Sequence, residues 1–151
     1  MSVLRKILCV VVLAMLMVPS VSAKKKETSY SKGNGVVYVF GVSQMLTDSM
    51  VYVTNINQVD SLDLERKTGF LPFRSEFSLQ LKEYMEGQLH QQNQTACIYY
   101  SKSRKQLAKK FYKIKKRFLD NSYTRLVVID DAHFRFRHPL DSFVVDTEGD
   151  K

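Results

Sequence analysis

Apolar residues in this chain gather into short blocks divided by polar turns, and the spacing inside each block predicts its element. Val36 to Val42 (VVYVFGV) and Met50 to Ile56 (MVYVTNI) are β-branched and aromatic, the composition of strands. Ser43 to Ser49 joins them as a long hairpin loop, with Met45 and Leu46 expected to fold back over the sheet. Gly41, near the end of the first strand, suggests a bulge. Residues 57–74 show no clear period, and Thr68-Gly69-Phe70-Leu71-Pro72 reads as an ordered loop. Ser75 followed by Glu76 then marks a helix start, the acid favoured at the N-terminal dipole. Phe77, Leu81, Tyr84, Met85 and Gln88 share one helical face, while Leu79 points away from it. Residues 91–95 (QQNQT) end that helix.

Ala96 to Tyr100 is apolar on both faces and so predicts a central strand. The clearest element follows: Ser103 caps a helix in which Leu107, Phe111, Ile114 and Phe118 recur at steps of four, three and four. Leu126 to Ile129 reads as another buried strand. His133 to Arg137 alternates, with Phe134 and Phe136 on one side and His133, Arg135 and Arg137 on the other. That pattern predicts a half-buried strand, antiparallel or at an edge. From Pro139 the chain turns acidic (Asp141, Asp146, Glu148, Asp150), with at most a short strand at Phe143-Val144-Val145. The predicted order is ββαβαββ. Two amphipathic helices need a sheet to bury their stripes, so the fold expected is α/β, with α+β as the variant. It would hold a mixed sheet of four to five strands. A strand–helix–strand unit occurs twice (50–56, 75–90, 96–100; 96–100, 103–119, 126–129), right-handed wherever its strands are parallel.

The start of the chain follows a different logic. Arg5 and Lys6 precede twelve unbroken apolar residues, Ile7 to Val18. Pro19-Ser20 breaks the run, and Val21-Ser22-Ala23 offers small residues before a cut. This is the three-part pattern of a secretory signal peptide; twelve residues are too few to span a bilayer core of ~30 Å. Cys9 lies inside the run and lacks the small residues that should precede a lipid-bearing cysteine. The expected organisation is a signal peptide 1–23, a flexible basic leader 24–35, one domain 36–138 and an acidic tail 139–151. The product would be exported, to the periplasm or beyond the cell. Cys97 is then the one cysteine left, expected as a buried small hydrophobe.

Composition narrows the class without naming a reaction. With 151 residues, 44% hydrophobic, 25% charged and 11% aromatic, the chain is a normal globular polypeptide rather than a low-complexity one. Charge changes the picture more. The formal net charge is +8, and removing Arg5 and Lys6 with the leader leaves +6. Lys102 to Arg117 holds nine basic residues and no acid, so the rest of 24–151 is net acidic. At ~100° per residue, Lys105, Lys109, Lys110, Lys113, Lys116 and Arg117 share one arc opposite Phe111 and Ile114. One reading is a solvated helix back whose field is partly met by the acidic tail at 141–150, although a face selected for solubility alone would mix in glutamates. The one-sided face suits a polyanion: an anionic glycan, a lipid head group or a similar partner. Nucleic acid is disfavoured by export and by the lack of a recognised motif.

Other constellations are weaker. His133, Arg135 and Arg137, with His138 following, could hold a phosphate or carboxylate through arginine's paired donors. Asp130-Asp131 follows a buried strand, where a pair of carboxylates can bind a hard cation or act as acid and base. A turn is the cheaper reading, since no phosphate-cradling glycine loop, second acidic cluster or nearby nucleophile accompanies them. His90, His133 and His138 lack the spacing of a zinc site, and no metal or cofactor is implied. Tyr38 and Tyr52 on a hairpin invite comparison with GIY-YIG nucleases, but Val36-Val37-Tyr38 and Val51-Tyr52-Val53 lack the family glycines. Leu79, Met45 and Leu46 leave a protein partner open.

Most of 36–137 resembles a group of small exported Gram-negative bacterial proteins with no established activity. The resemblance is carried by Val39-Phe40-Gly41-Val42-Ser43, Asp48 to Thr54, Lys67 to Leu71 ahead of Arg74, and Phe134-Arg135-Phe136. It implies export and one α/β domain. The functional expectation is therefore a non-enzymatic exported binding or accessory protein. The alternative is a small metal-dependent hydrolase built on Asp130, Asp131 and His133.

Overall fold

The computed structural model describes residues 33–143, within one compact unit, Ser31–Lys151. The expected signal peptide, most of the basic leader and most of the acidic tail lie outside the described residues. The elements are β1 (Val36–Gln44), β2 (Met50–Thr54), β3 (Asn57–Asp60), α1 (Arg74–Gly87), β4 (Thr95–Ser101), α2 (Arg104–Leu119) and β5 (Arg125–Ile129). A 3₁₀ turn, Pro139–Phe143, follows. It takes up Phe143; the rest of the expected 143–145 strand is not among the described residues. The fold is α/β, a mixed sheet of five strands and two helices, as the patterning predicts.

β1 is the hub because it is apolar on both faces: Val37, Val39 and Phe40 are fully buried. One edge of β1 pairs antiparallel with β4 over seven residues, from Tyr38↔Ser101 to Gln44↔Thr95. Its other edge pairs first with β3 (Val36↔Asp60 to Val39↔Asn57) and then with β2 (Val42↔Val53 to Gln44↔Val51). β2 and β3 are thus two halves of one antiparallel strand. Between them Thr54, Asn55 and Ile56 face only Phe40 and Gly41, an extra residue that makes a bulge. The Thr54 hydroxyl accepts from the Gly41 amide at 2.9 Å, replacing the ladder partner. β5 runs parallel to β2, from Met50↔Arg125 to Thr54↔Ile129.

β4 and β5 each have one neighbour and lie at edges of the sheet, which corrects the expectation that β4 would be central. Apolarity on both faces of these strands reflects helices above and below the sheet. It carries no information about neighbours to the side. Cys97 is corrected with it: on β4 it is exposed, not buried.

The helices cover opposite faces. Phe77, Leu81 and Met85 of α1 pack on Val37, Val39, Tyr52, Val59, Ile98 and Ile129. Leu107, Phe111 and Ile114 of α2 pack on Phe40, Val42, Val51 and Val53. The crossovers β3–α1–β4 and β4–α2–β5 travel across the sheet in opposite directions. With helices on opposite faces they share one hand, as the right-handed rule requires of parallel crossovers.

Three local readings change. β3 went unseen because its alternation places a polar residue, Asn57, at a buried position. Gly33 to Gly35, expected to end a mobile leader, are tied down: the Gly33 amide donates to Ser61 O at 2.8 Å and the Leu62 amide to Gly35 O at 3.1 Å. Leu46, expected over the sheet, is 94% exposed.

Gly41 also sets the approach of α1. A Cβ there would lie 2.5 Å from Leu81 Cδ2 and 3.0 Å from Phe136 Cζ, both in side chains locked in the core. Gly41→Ala is expected to lower unfolding stability by roughly 1–3 kcal/mol through overpacking, read by denaturant titration.

Candidate functional site

α2 is built to face two ways. The Ser103 hydroxyl accepts from the Gln106 amide at 3.4 Å, starting the helix as expected. Its apolar stripe is held by an aromatic stack: Phe111 meets Phe40 edge-on at 5.2 Å, and Phe40 stacks on Tyr99 at 4.9 Å. With that face pinned to the sheet, Lys105, Lys109, Lys110, Lys113, Lys116 and Arg117 are all exposed. The structure brings together all six. Among the described residues no carboxylate stands within 4 Å of any of them. The rim of the arc is partly engaged, since Lys110 Nζ lies 4.8 Å over the Tyr99 ring and Arg117 5.9 Å from that of Phe118. Lys110 thereby places a charge over edge strand β4, a device that discourages sheet-to-sheet association. Lys115 sits outside the arc, over Phe111 at 5.2 Å.

The segment after β5 differs from its prediction in an instructive way. Residues 134–138 alternate in burial, but they join no strand. Side-chain amides take the place of a ladder. Asn57 Nδ2 donates to Asp131 Oδ1 at 2.9 Å, and Asn57 Oδ1 accepts from the Phe136 amide at 3.0 Å. Gln80 on α1 clamps Arg137 in the same manner: its Nε2 donates to Arg137 O, and its Oε1 accepts from the Arg137 amide, both at 3.0 Å. The alternation itself is real. Phe136 is buried against Phe77 and Phe134, while His133, Arg135 and Arg137 are exposed. Period two reported burial, and strand pairing was the wrong inference from it. Asn57 and Gln80, which fix the segment, were missed. A polar residue on the buried phase of an alternating stretch was the signal for Asn57.

A groove of about 770 Å³ lies between α1 and this segment, lined by Gln80, Glu83, Tyr84, Gln88 and Leu89 on one wall and by residues 132–135 and Arg137 on the other. A second, of about 690 Å³, runs along the segment beside Gln58, Asp60 and Asp131. Arg135 and Arg137 line both. They sit on the α1 side of the sheet, so they do not extend the α2 face.

The three residues of the hydrolase reading are not gathered into one centre. Asp130 Oδ1 receives His133 Nδ1 at 2.7 Å, together with the Ala132 and His133 amides at 3.0 and 3.2 Å. Asp131 is bound instead to Asn57. Among the described residues no group of three or more His, Cys, Asp or Glu is placed to hold a metal ion. The hydrogen bond from His133 holds the Asp130 carboxyl below its ordinary value. Burial, and then the Asp130 charge, push the Tyr84 hydroxyl up, which keeps it a proton donor.

Comparison with family models, with curated proteins and with solved structures finds no match to this chain. No described helix is long and apolar enough to cross a membrane.

Two outcomes follow from the geometry of the segment. Asn57→Ala leaves the buried Phe136 amide without its acceptor, at a cost of about 2 kcal/mol. Limited proteolysis should then cut within 131–138 faster than elsewhere. The lowered Asp130 value means that its contribution to the turn is complete above the ordinary carboxylate value. It is lost as pH falls through the lower folded-state value. Chemical shifts of the Ala132 and His133 amides should report that acid transition, and Asp130→Asn should abolish it.

Proposed function

We propose that this chain is an exported, non-enzymatic binding module that engages a polyanion through the outer face of α2. The pattern of residues 1–23 supports export, as does the resemblance carried by 39–43, 48–54, 67–71 and 134–136. The observation that carries the binding role is the cation cluster, which no carboxylate among the described residues approaches within 4 Å. Lys113 has Lys109 and Lys110 before it and Lys116 and Arg117 after it, all at helical spacings of three or four. Each such like-charge pair weakens a helix by a few tenths of a kcal/mol. A surface with no anionic partner gains nothing from that arrangement, whereas a polyanion turns the repulsion into attraction and releases its counterions.

The metal-dependent hydrolase has less support: Asp131 Oδ1 is hydrogen-bonded to Asn57 while Asp130 Oδ1 holds His133, and no group of three or more His, Cys, Asp or Glu among the described residues is placed to hold a metal ion. The arginine row faces a groove and would suit one small anion; it lacks the length of the α2 face.

Stability and binding should therefore move in opposite directions. Lys113→Glu converts four repulsive neighbours into attractive ones and should raise helix stability by roughly 1–3 kcal/mol. The same change should lower the salt concentration needed to elute the protein from heparin. The triple change Lys109→Glu/Lys113→Glu/Lys116→Glu should abolish retention with the melting transition preserved. Retention that ignores both salt and these substitutions would remove the reading.

A further inference from the structure

We infer that the anionic partner of α2 is the surface of a bilayer carrying acidic lipid head groups, docked along the β5 side of the helix; this rests on the polyanion reading above. Charge complementarity supplies the first half of the argument. From Lys105 to Arg117 the cations extend about 18 Å along the axis, at 1.5 Å per residue, and they span an arc of about 140°. That is a broad pad rather than a narrow track, which fits a plane of charges better than a single thin chain.

The second half is apolar. The described residues include eight exposed large hydrophobics, of which Tyr112 (68%) and Leu119 (65%) lie on α2, Tyr123 (85%) in the turn that follows it and Val128 (41%) on β5. Tyr112 and Leu119 are seven residues apart, two helical turns, and so lie on one line along the helix. That line adjoins Lys105, Lys109 and Lys116. It lies on the β5 side, because Lys110, on the other rim, covers Tyr99 of β4. Tyr123 sits in the turn from α2 to β5, fixed by Asn121 Oδ1 accepting its amide at 3.1 Å. Val128 is on β5 itself. A soluble polyanion rewards the lysines but leaves Leu119 and the tyrosine rings in water. A bilayer interface rewards both. Basic residues meet the acidic head groups, while tyrosine and leucine enter the boundary where an apolar body and a polar tip are both satisfied.

The test uses the chain from residue 24, which retains the whole compact unit Ser31–Lys151, with a thermal melt confirming folding of every variant. Co-sedimentation is measured with vesicles of phosphatidylcholine alone and with phosphatidylcholine–phosphatidylglycerol mixtures; heparin retention is measured in parallel. The parent should bind the mixed vesicles and pass over the neutral ones. Lys113→Glu should weaken both vesicle and heparin binding, the former about five-fold or more. Tyr112→Ser/Leu119→Ser should keep heparin retention and lose about ten-fold in vesicle partitioning. Heparin retention without vesicle binding overturns the bilayer and leaves the polyanion reading standing, with a soluble glycan or acidic protein as the partner. Vesicle binding unaffected by Tyr112→Ser/Leu119→Ser also overturns it. Loss of both vesicle and heparin binding in the parent overturns both readings.

Discussion

Leu107, Phe111 and Ile114 pressing on Phe40, Val42, Val51 and Val53 determine what this molecule shows to its surroundings. β1 has apolar side chains on both faces, so both faces must be covered, and α2 is the element that covers one of them. Once its stripe is committed to the sheet, rotation of the helix is no longer free. Lys105, Lys109, Lys110, Lys113, Lys116 and Arg117 are then turned to solvent on one side, while Lys115 stays outside that arc over Phe111. The electrostatic character of the protein is therefore a consequence of packing.

The other face is closed by a different chemistry. α1 can approach the sheet because Gly41 has no side chain, and the space so opened is filled by Leu81 and Phe136. Phe136 is delivered by a segment that has no strand partner and is held by the amides of Asn57 and Gln80. Bulge, glycine and amide clamp thus form one assembly. The extra residue at 54–56 bends the β2–β3 strand, Gly41 lies opposite it, and Asn57 begins the strand's second half within reach of Asp131 and Phe136. The arginine row is exposed because the phenylalanines between its members are anchored there.

The two faces differ in kind. The α1 side offers grooves of mixed character, whose lining includes His133, itself hydrogen-bonded to Asp130. The α2 side offers a convex, strongly cationic pad bordered by apolar residues. A convex charged surface suits an extended partner, and it is the side on which the helix tolerates internal repulsion.

The sequence by itself determined the covering of the sheet and the polarity of α2, because these depend on periodicity and periodicity is local. The step pattern Leu107, Phe111, Ile114, Phe118 decides which face goes inward, and the lysines follow with no further information. The alternation at 133–137 likewise showed which side chains are buried. Only the tertiary structure decided the lateral order of strands. β4 looks central in sequence because helices cover both its faces, and nothing in a strand's own residues records whether its edge is occupied. It also decided that Asn57 and Gln80 replace a ladder at 134–138, since a buried polar side chain is stable only with partners brought from far along the chain. The apolar border beside the lysines arose in the same way. Tyr112 and Leu119 share a line on α2, but the exposed Tyr123 and Val128 come beside that helix only through the turn and the strand that follow it.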